Sequence, residues 1–226
     1  MIVARSESRR LPRKVLADLA GIPLIEHVFT RAKRVRADAV MLATTDREAD
    51  DELVALAESS GIPSFRGPMQ DVSGRVLGCA IASECSHFAR LNGDSPFLDP
   101  ALLQAGVDLA SSGDADVVTN LCERAFPYGV AVEVVRTATF ASAYEQMSDD
   151  YDREHVTAYL YSHRDQYRIE CIEATDPMLA GARLVVDTEE DLANATKVAR
   201  SLGASVTTAD YRKVAETYLA VAGVSR

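Results

Sequence analysis

A chain of 226 residues, 47% apolar and 26% charged, has the make-up of one large globular domain spanning 1–226 and can bury a sizeable core. Its formal net charge of -10 excludes a protein that coats nucleic acid, because neutralising phosphates takes a surplus of Lys and Arg. No apolar run reaches the roughly 18 residues of a membrane span, and the opening Met1-Ile2-Val3-Ala4-Arg5 lacks a basic-then-apolar leader, so a cytoplasmic location is expected. The four cysteines (Cys79, Cys85, Cys122 and Cys171) show no C-x-x-C spacing and are expected as reduced thiols.

In chain order, strand-like runs alternate with helical periods. Ile2 to Ala4 is a short apolar run followed by a polar loop to Lys14. From Leu24 to Val35 the apolar positions trace one face of a helix. On that helix His27, flanked by Glu26 and Arg31, is expected at the surface. Ala39 to Ala43 reads as a covered strand, Leu53 to Ala57 as a helix closed by Gly61, and Ser64 to Arg66 as a short strand. A helix around Val76 to Ile81 leads to a strand at His87 to Leu91, which empties into Asn92-Gly93-Asp94-Ser95-Pro96. A helix from Pro100 and a strand at Asp116 to Thr119 continue the alternation. This order predicts an α/β fold with a mostly parallel, doubly wound sheet.

Beyond Leu121 the pattern changes. Strands are expected at Val130 to Val135, Tyr167 to Ile172 and Arg183 to Val186, with helices at Ala138 to Met147 and Arg153 to His163. The block from about 121 to 181 reads as an α+β insertion. Helices at Glu189 to Leu202 and about Ala209 to Ala222 finish the chain.

Positive charge crowds into one loop of this acidic chain: Arg5, Arg9, Arg10, Arg13 and Lys14, with Ser6 and Ser8 between them. Cations, short hydroxyls and free backbone N–H groups after a first strand suit a compact polyanion such as a triphosphate, although a solvated basic loop has the same composition. No G-x-x-x-x-G-K-[ST] loop is present. Asp94 and Asp187 each follow a strand end and would open at the same sheet edge. Two convergent carboxylates suffice for Mg²⁺ when phosphate oxygens complete its shell; a turn cap at Asp94 and a helix cap at Asp187-Thr188 are the alternatives.

Ile2-Val3-Ala4-Arg5…Ser8…Arg10-Leu11-Pro12…Lys14 is similar to the signature of the CMP-sugar-acid synthetases, the cytidylyltransferases that include CMP-Kdo and CMP-sialate synthetases. The likeness continues in order through Thr44-Thr45-Asp46, Phe65-Arg66-Gly67, Asp71…Arg75, Asn92-Gly93-Asp94, Gly129…Glu133, Arg153-Glu154-His155 and Leu184 to Asp191. It is strongest to the SpsF-type spore-coat polysaccharide proteins. The resemblance implies a nucleotide-diphospho-sugar transferase (GT-A-like) fold whose inserted region serves dimerisation, and transfer of CMP from CTP to a small anionic acceptor such as an acidic sugar, with release of pyrophosphate. It implies a homodimer that uses Mg²⁺ held by Asp94 and Asp187, with Arg10 and Lys14 joining those aspartates as catalytic groups. Nucleotide contacts fall to Ala4, Arg5, Ser6, Ser8, Asp71, Arg75, Asn92 and Gly93, and acceptor contacts to Glu133, Arg153, Glu154 and His155.

The chain departs from the family pattern at Glu7, Arg13 and Ala131. Glu7 must turn away from a phosphate site or the site is altered, and Arg13 is expected to add a compensating cation. These departures keep a non-catalytic nucleotide-binding homologue open. A glycosyltransferase using a nucleotide sugar is the other alternative, with Asp114-Ala115-Asp116 as its D-x-D motif.

Overall fold

The computed structural model describes residues 1–223. Strand β1 (Ile2–Val3) leads through the basic loop and a 3-10 turn at Lys14–Leu16 into a small hairpin, β2 (Asp18–Leu19) and β3 (Ile22–Pro23), and helix α1 (Leu24–Ala32). There follow β4 (Leu42–Thr45), α2 (Asp51–Ser59), β5 (Ser64–Gly67), α3 (Val72–Ala82), β6 (His87–Ala89), β7 (Leu91–Asn92), α4 (Pro100–Ser112) and β8 (Val117–Thr119). The remainder comprises β9 (Glu133–Arg136), α5 (Thr137–Gln146), α6 (Asp150–Glu154), α7 (Ala158–Ser162), β10 (Ile169–Cys171), α8 (Glu189–Leu202) and α9 (Tyr211–Val221).

The order β5-β4-β1-β7 is parallel throughout, with Ile2 opposite Leu42 on one side and Leu91 on the other. A second set runs β10-β8-β9-β6, in which β9 is antiparallel to both neighbours. Residues 87–92 join the two sets. At Arg90 the chain changes partners: its amide donates to the Glu133 carbonyl, while the Leu91 amide donates to the Met1 carbonyl. The strand expected at Val130 to Val135 thus begins later and lies inside the layer, between β8 and β6.

Adjacent residues on a strand point to opposite faces, and the core divides accordingly. Ile2, Val118 and Val134 join Leu24, Leu103 and Val198 in the larger apolar cluster. Val117 and Val135 join Val76, Phe88, Phe140 and Leu160 in the smaller one. Helices therefore cover both faces, as the alternation of elements predicts.

Several sequence expectations need correction. His27 is buried, not superficial, with Nε2 2.9 Å from the Leu19 carbonyl, and Arg31 beside it is fully buried with Nη1 and Nη2 on the carbonyls of Leu98, Ala209 and Val206. Helix α1 packs against the hairpin and the C-terminal segment, so His27 and Arg31 satisfy backbone carbonyls rather than meet water. The helix expected at Arg153 to His163 is two short helices with Val156, at φ 44°, between them. Arg183 to Val186 forms only a single bridge, Tyr128 with Arg183. Cys122 and Cys171 are disulfide-bonded rather than reduced, because β10 lying beside β8 brings the two to a Cα separation of 6.0 Å; Cys79 and Cys85 are free thiols.

Candidate active site

The parallel set reverses its winding at β1: β4 and β5 extend to one side and β7 lies on the other. In open α/β sheets the crevice beyond such a reversal receives ligands. A cleft of about 1230 Å³ opens there, with the basic loop and Asp94 at one end and Glu133, His155 and Tyr161 at the other.

Gly93 makes the meeting of β1 and β7 close. A Cβ at this position would stand 2.5 Å from the Ala4 Cβ, and the Gly93 amide donates to the Val3 carbonyl at 2.9 Å. Any side chain here would push the two strand ends apart. Asp94 follows at once, and the Val186 amide donates to its carbonyl, which brings Asp187 alongside.

Lys14 lies between the two aspartates. Its Nζ is 2.7 Å from Asp94 Oδ2 and 2.8 Å from Asp187 Oδ1, with little of the lysine exposed. Burial works against the ammonium, but the two carboxylates together outweigh it and hold the lysine pKa above its ordinary value. Arg10 reaches Asp187 at 2.9 Å and Arg183 reaches it at 3.0 Å. Burial of the Asp187 carboxyl is outweighed by these cations, Lys14 first, and its pKa is lowered. A capping box at the start of α8 fixes Asp187 from behind: Thr188 and Asp191 exchange side-chain and backbone hydrogen bonds, and Asp191 also accepts from the Asp187 amide. Asp187 precedes the capping residue Thr188. Besides Lys14, the Asp94 carboxylate takes, among the described residues, only a long contact from the Ser95 hydroxyl. Among the described residues no group of three or more His, Cys, Asp and Glu is arranged to hold a metal.

Other predicted site residues separate into two sets. Ala4, Arg5, Ser8, Arg10, Arg75, Asn92, Gly93, Glu133, Glu154 and His155 line the cleft together with the Lys14 cluster. Ser6, Asp71 and Arg153 do not. Ser6 is buried with its amide on Asp50. Asp71 caps α3 and accepts from the Tyr144 hydroxyl at 2.6 Å and from Arg153 at 3.1 Å. The Arg153 guanidinium stacks over Tyr144, 4.1 Å from the ring centre, and donates to the Met147 carbonyl. Arg5 and Glu154 pair with each other at 2.8 Å across the cleft wall.

The departures in the loop are accommodated locally. Glu7 lines the cleft, and its carboxylate is engaged by Arg47 at 2.9 Å. Arg13 occupies a left-handed conformation, φ 58°, where a glycine would be unstrained, and its guanidinium reaches Glu52 rather than the cleft. The expected compensating cation therefore does not line the cleft. Asp114 and Asp116 lie at the opposite edge, engaged by Arg168, Arg136 and Thr139, and neither lines the cleft.

Sequence reasoning missed Asp50 and the partners of Glu133. Asp50 accepts from the amides of Ser6 and Thr45 and from the Thr45 hydroxyl, anchoring the basic loop to the end of β4. At the far end of the cleft Glu133 is nearly fully buried, yet Arg90 reaches it at 2.6 Å, Thr157 at 2.7 Å and Tyr161 at 3.0 Å. Arg90 Nε is buried without a partner, and burial followed by the Glu133 charge raises the Tyr161 pKa. A single acid inside an apolar strand carries no local mark of such a network; only the T-A-Y-L-Y spacing, with Thr157 and Tyr161 one helical turn apart, hinted at it.

The sequence profile of the cytidylyltransferases matches residues 1–217. The spore coat polysaccharide biosynthesis protein SpsF of Bacillus subtilis (strain 168) is 34% identical over 199 residues, covering 84% of this chain and 81% of its own. A cytidylyltransferase structure from Leptospira borgpetersenii serovar Hardjo-bovis superposes with a TM-score of 0.91 at 25% identity, covering 98% and 93% of the two chains. The structure of a CMP:2-keto-3-deoxy-manno-octonic acid synthetase shares the fold, with a TM-score of 0.68 at 18% identity and 88% and 97% coverage. With a family match running almost end to end and a fold that agrees with it, this chain belongs to the cytidylyltransferase family of nucleotidyltransferases.

Proposed function

We propose that this enzyme transfers CMP from CTP to a small anionic acceptor, an acidic sugar being the best fit, and releases pyrophosphate. The observation that carries the reading is the convergence of Asp94, Asp187, Lys14 and Arg10 at the sheet's reversal point, in a chain of this family. The synthetase structure named above is complexed with CTP, which supports the choice of nucleotide.

Two carboxylates that share one ammonium converge on one point, and hard oxygen donors fit Mg²⁺, so Asp94 and Asp187 would hold it together with phosphate oxygens. When bound, Mg²⁺ supplies neutralisation of the charge that builds on the phosphates as pyrophosphate departs. Arg10 and Lys14 act on the same charge from the loop, binding the β- and γ-phosphates. Ala4, Arg5, Ser8, Arg75, Asn92 and Gly93 border the nucleoside side of the cleft. Glu133, Glu154 and His155, with Arg90 and Tyr161, border the acceptor side, where the acceptor oxygen would approach the α-phosphorus. Met178, exposed and outside the cleft lining, leaves an apolar group on the surface of the 121–181 block, in keeping with a homodimer formed through that region. No helix among the described residues is long and apolar enough to cross a membrane, in keeping with a cytoplasmic enzyme working on free nucleotides.

The test is incubation with CTP, Mg²⁺ and a panel of sugar acids, following pyrophosphate release and the CMP-linked product. Asp94→Asn and Asp187→Asn are each expected to lower turnover by about a hundred-fold or more with the fold intact. Full activity in both variants would refute the assignment, and a melting temperature raised more by ATP or GTP than by CTP would refute the nucleotide.

A further inference from the structure

Without a divalent ion, the cluster at the cleft is already neutral. Three carboxylates, Asp94, Asp187 and Asp191, face three cations, Lys14, Arg10 and Arg183. Lys14 is the member that touches both of the aspartates that would hold a metal, and it is the least exposed of the three cations. Asp187 keeps Arg10 and Arg183 if Lys14 leaves, whereas Asp94 has no other cationic partner among the described residues. The lysine also stands in a short 3-10 turn after the left-handed Arg13, with Val15 buried behind it. Its backbone is thereby fixed, while its four-carbon stem leaves the ammonium free to swing.

We propose that Lys14 is a tethered place-holder for the divalent cation: without nucleotide it holds Asp94 and Asp187 together and keeps a free metal ion out, and the arriving metal–triphosphate draws it off the carboxylates onto phosphate oxygens. The inference rests on the nucleotide and metal reading above and deepens it by giving an order of events. An ammonium attached to the same chain competes at a high effective concentration, and a hydrated Mg²⁺ dehydrates reluctantly. A triphosphate reverses the balance, because its oxygens accept the lysine and complete the shell of the ion at the same time. The same side chain would thus close the site to metal alone and stabilise the phosphates once they arrive.

Mn²⁺ binding to nucleotide-free protein, read by electron paramagnetic resonance, tests this without any turnover. Wild type and Lys14→Arg, which keeps the charge, should bind weakly. Lys14→Met and the polar Lys14→Gln should bind at least about ten-fold tighter, equivalent to about 1.4 kcal/mol, and adding Asp187→Asn should abolish the gain. Circular dichroism confirms that each variant is folded, and the two neutral variants guard against one failing to fold. Equal nucleotide-free affinity in wild type and both neutral variants overturns the proposal. A separate arm compares wild type, Asp94→Asn and Asp187→Asn with α,β-methylene-CTP, which cannot be cleaved at the α,β bond. Mn²⁺ uptake there should depend on Asp94 and Asp187; if it does not, the metal reading itself is what fails, and the place-holder falls with it.

Discussion

Replacing Asp50 with Asn tests whether the basic loop is held in place from below. The Asp50 carboxylate is 2% exposed and accepts from the Ser6 amide at 2.6 Å, from the Thr45 amide at 3.2 Å and from the Thr45 hydroxyl. Asn keeps the shape and one acceptor oxygen, which can still serve Ser6. Its NH₂ group then faces the Thr45 amide, donor against donor, while the hydroxyl can rotate to accept. One buried amide is left unpaired and one charge-assisted bond becomes neutral, a loss of about 3 kcal/mol. For a chain of this length that lowers the melting temperature by roughly 6–12 °C. Burial of the Asp50 carboxyl is outweighed by its hydrogen bonds, Thr45 first, and its folded pKa lies below the ordinary value. Its contribution is therefore complete above the unfolded pKa, about 3.9, and disappears as the pH falls through the lower folded value. The gap between wild type and Asp50→Asn should narrow in that acid range only. The loosened loop should also bind CTP more weakly. Thermal melts at pH 7 and below pH 4, with calorimetric titration of CTP, measure all three effects. A variant that melts within 1 °C of wild type at pH 7 (an order-of-magnitude threshold set by the same scaling) and binds CTP equally well would refute the anchoring role.

Gly129 has φ 111°, and a Cβ there would sit 2.6 Å from the Leu184 carbonyl carbon and 2.7 Å from the Val185 amide nitrogen. Gly129→Ala should cost about 2 kcal/mol or more in a urea melt, and activity should fall further than stability because the displaced segment carries Asp187. Arg31→Met strips the donors from the buried Leu98 carbonyl and from the half-buried Ala209 and Val206 carbonyls that tie the C-terminal segment to α1, and should destabilise by about 3 kcal/mol by the same measurement. Burial lowers the His27 pKa and outweighs the Leu19 carbonyl that opposes it, with Arg31 lowering it further and Glu26 and Asp18 opposing more weakly. The unfolded chain then takes up a proton that the native ring resists, so stability should fall as the pH drops below about 6.5. His27→Gln, which can still donate to the Leu19 carbonyl, should flatten that slope. His87, lowered by burial and by Arg136, leaves a residual one.

The elements that recur locally were legible in the sequence. Apolar runs at Ile2 and Leu42, the 3.6-residue period of α1 and the proline and glycine punctuation around α2 and α4 are properties of neighbouring residues, and the alternation they make implies a parallel doubly wound sheet. What escaped was pairing between distant segments. Nothing near Arg90 announces that the strand exchanges β9 for β1 there, or that β9 runs antiparallel inside the layer. The Cys122–Cys171 bond escaped for the same reason, since the two lie 49 residues apart and meet only because β10 pairs with β8.

Site residues divide along the same line. Asp94 and Asp187 were singled out because each was read as following a strand end; Asp94 does, after β7, whereas Asp187 follows a segment that only bridges Tyr128 and is brought alongside by the Val186 amide on the Asp94 carbonyl. The basic loop was conspicuous because it concentrates cations in an acidic chain. Arg153 was assigned to the acceptor from its motif alone, and the structure turns it to Asp71 and Tyr144, because α6 packs beside α3 and a guanidinium there meets the capping carboxylate first. Asp50 and Arg90 carried no signal, since a buried charge is recognisable only through the partners that justify its burial. Both partners are remote: the amide of Ser6 for Asp50, the carboxylate of Glu133 for Arg90. Charges at a strand end, such as Asp94, can be read from one dimension because their place depends on the strand alone. Those that hold the loop and floor the cleft depend on two segments at once, and only the folded chain brings the second segment into view.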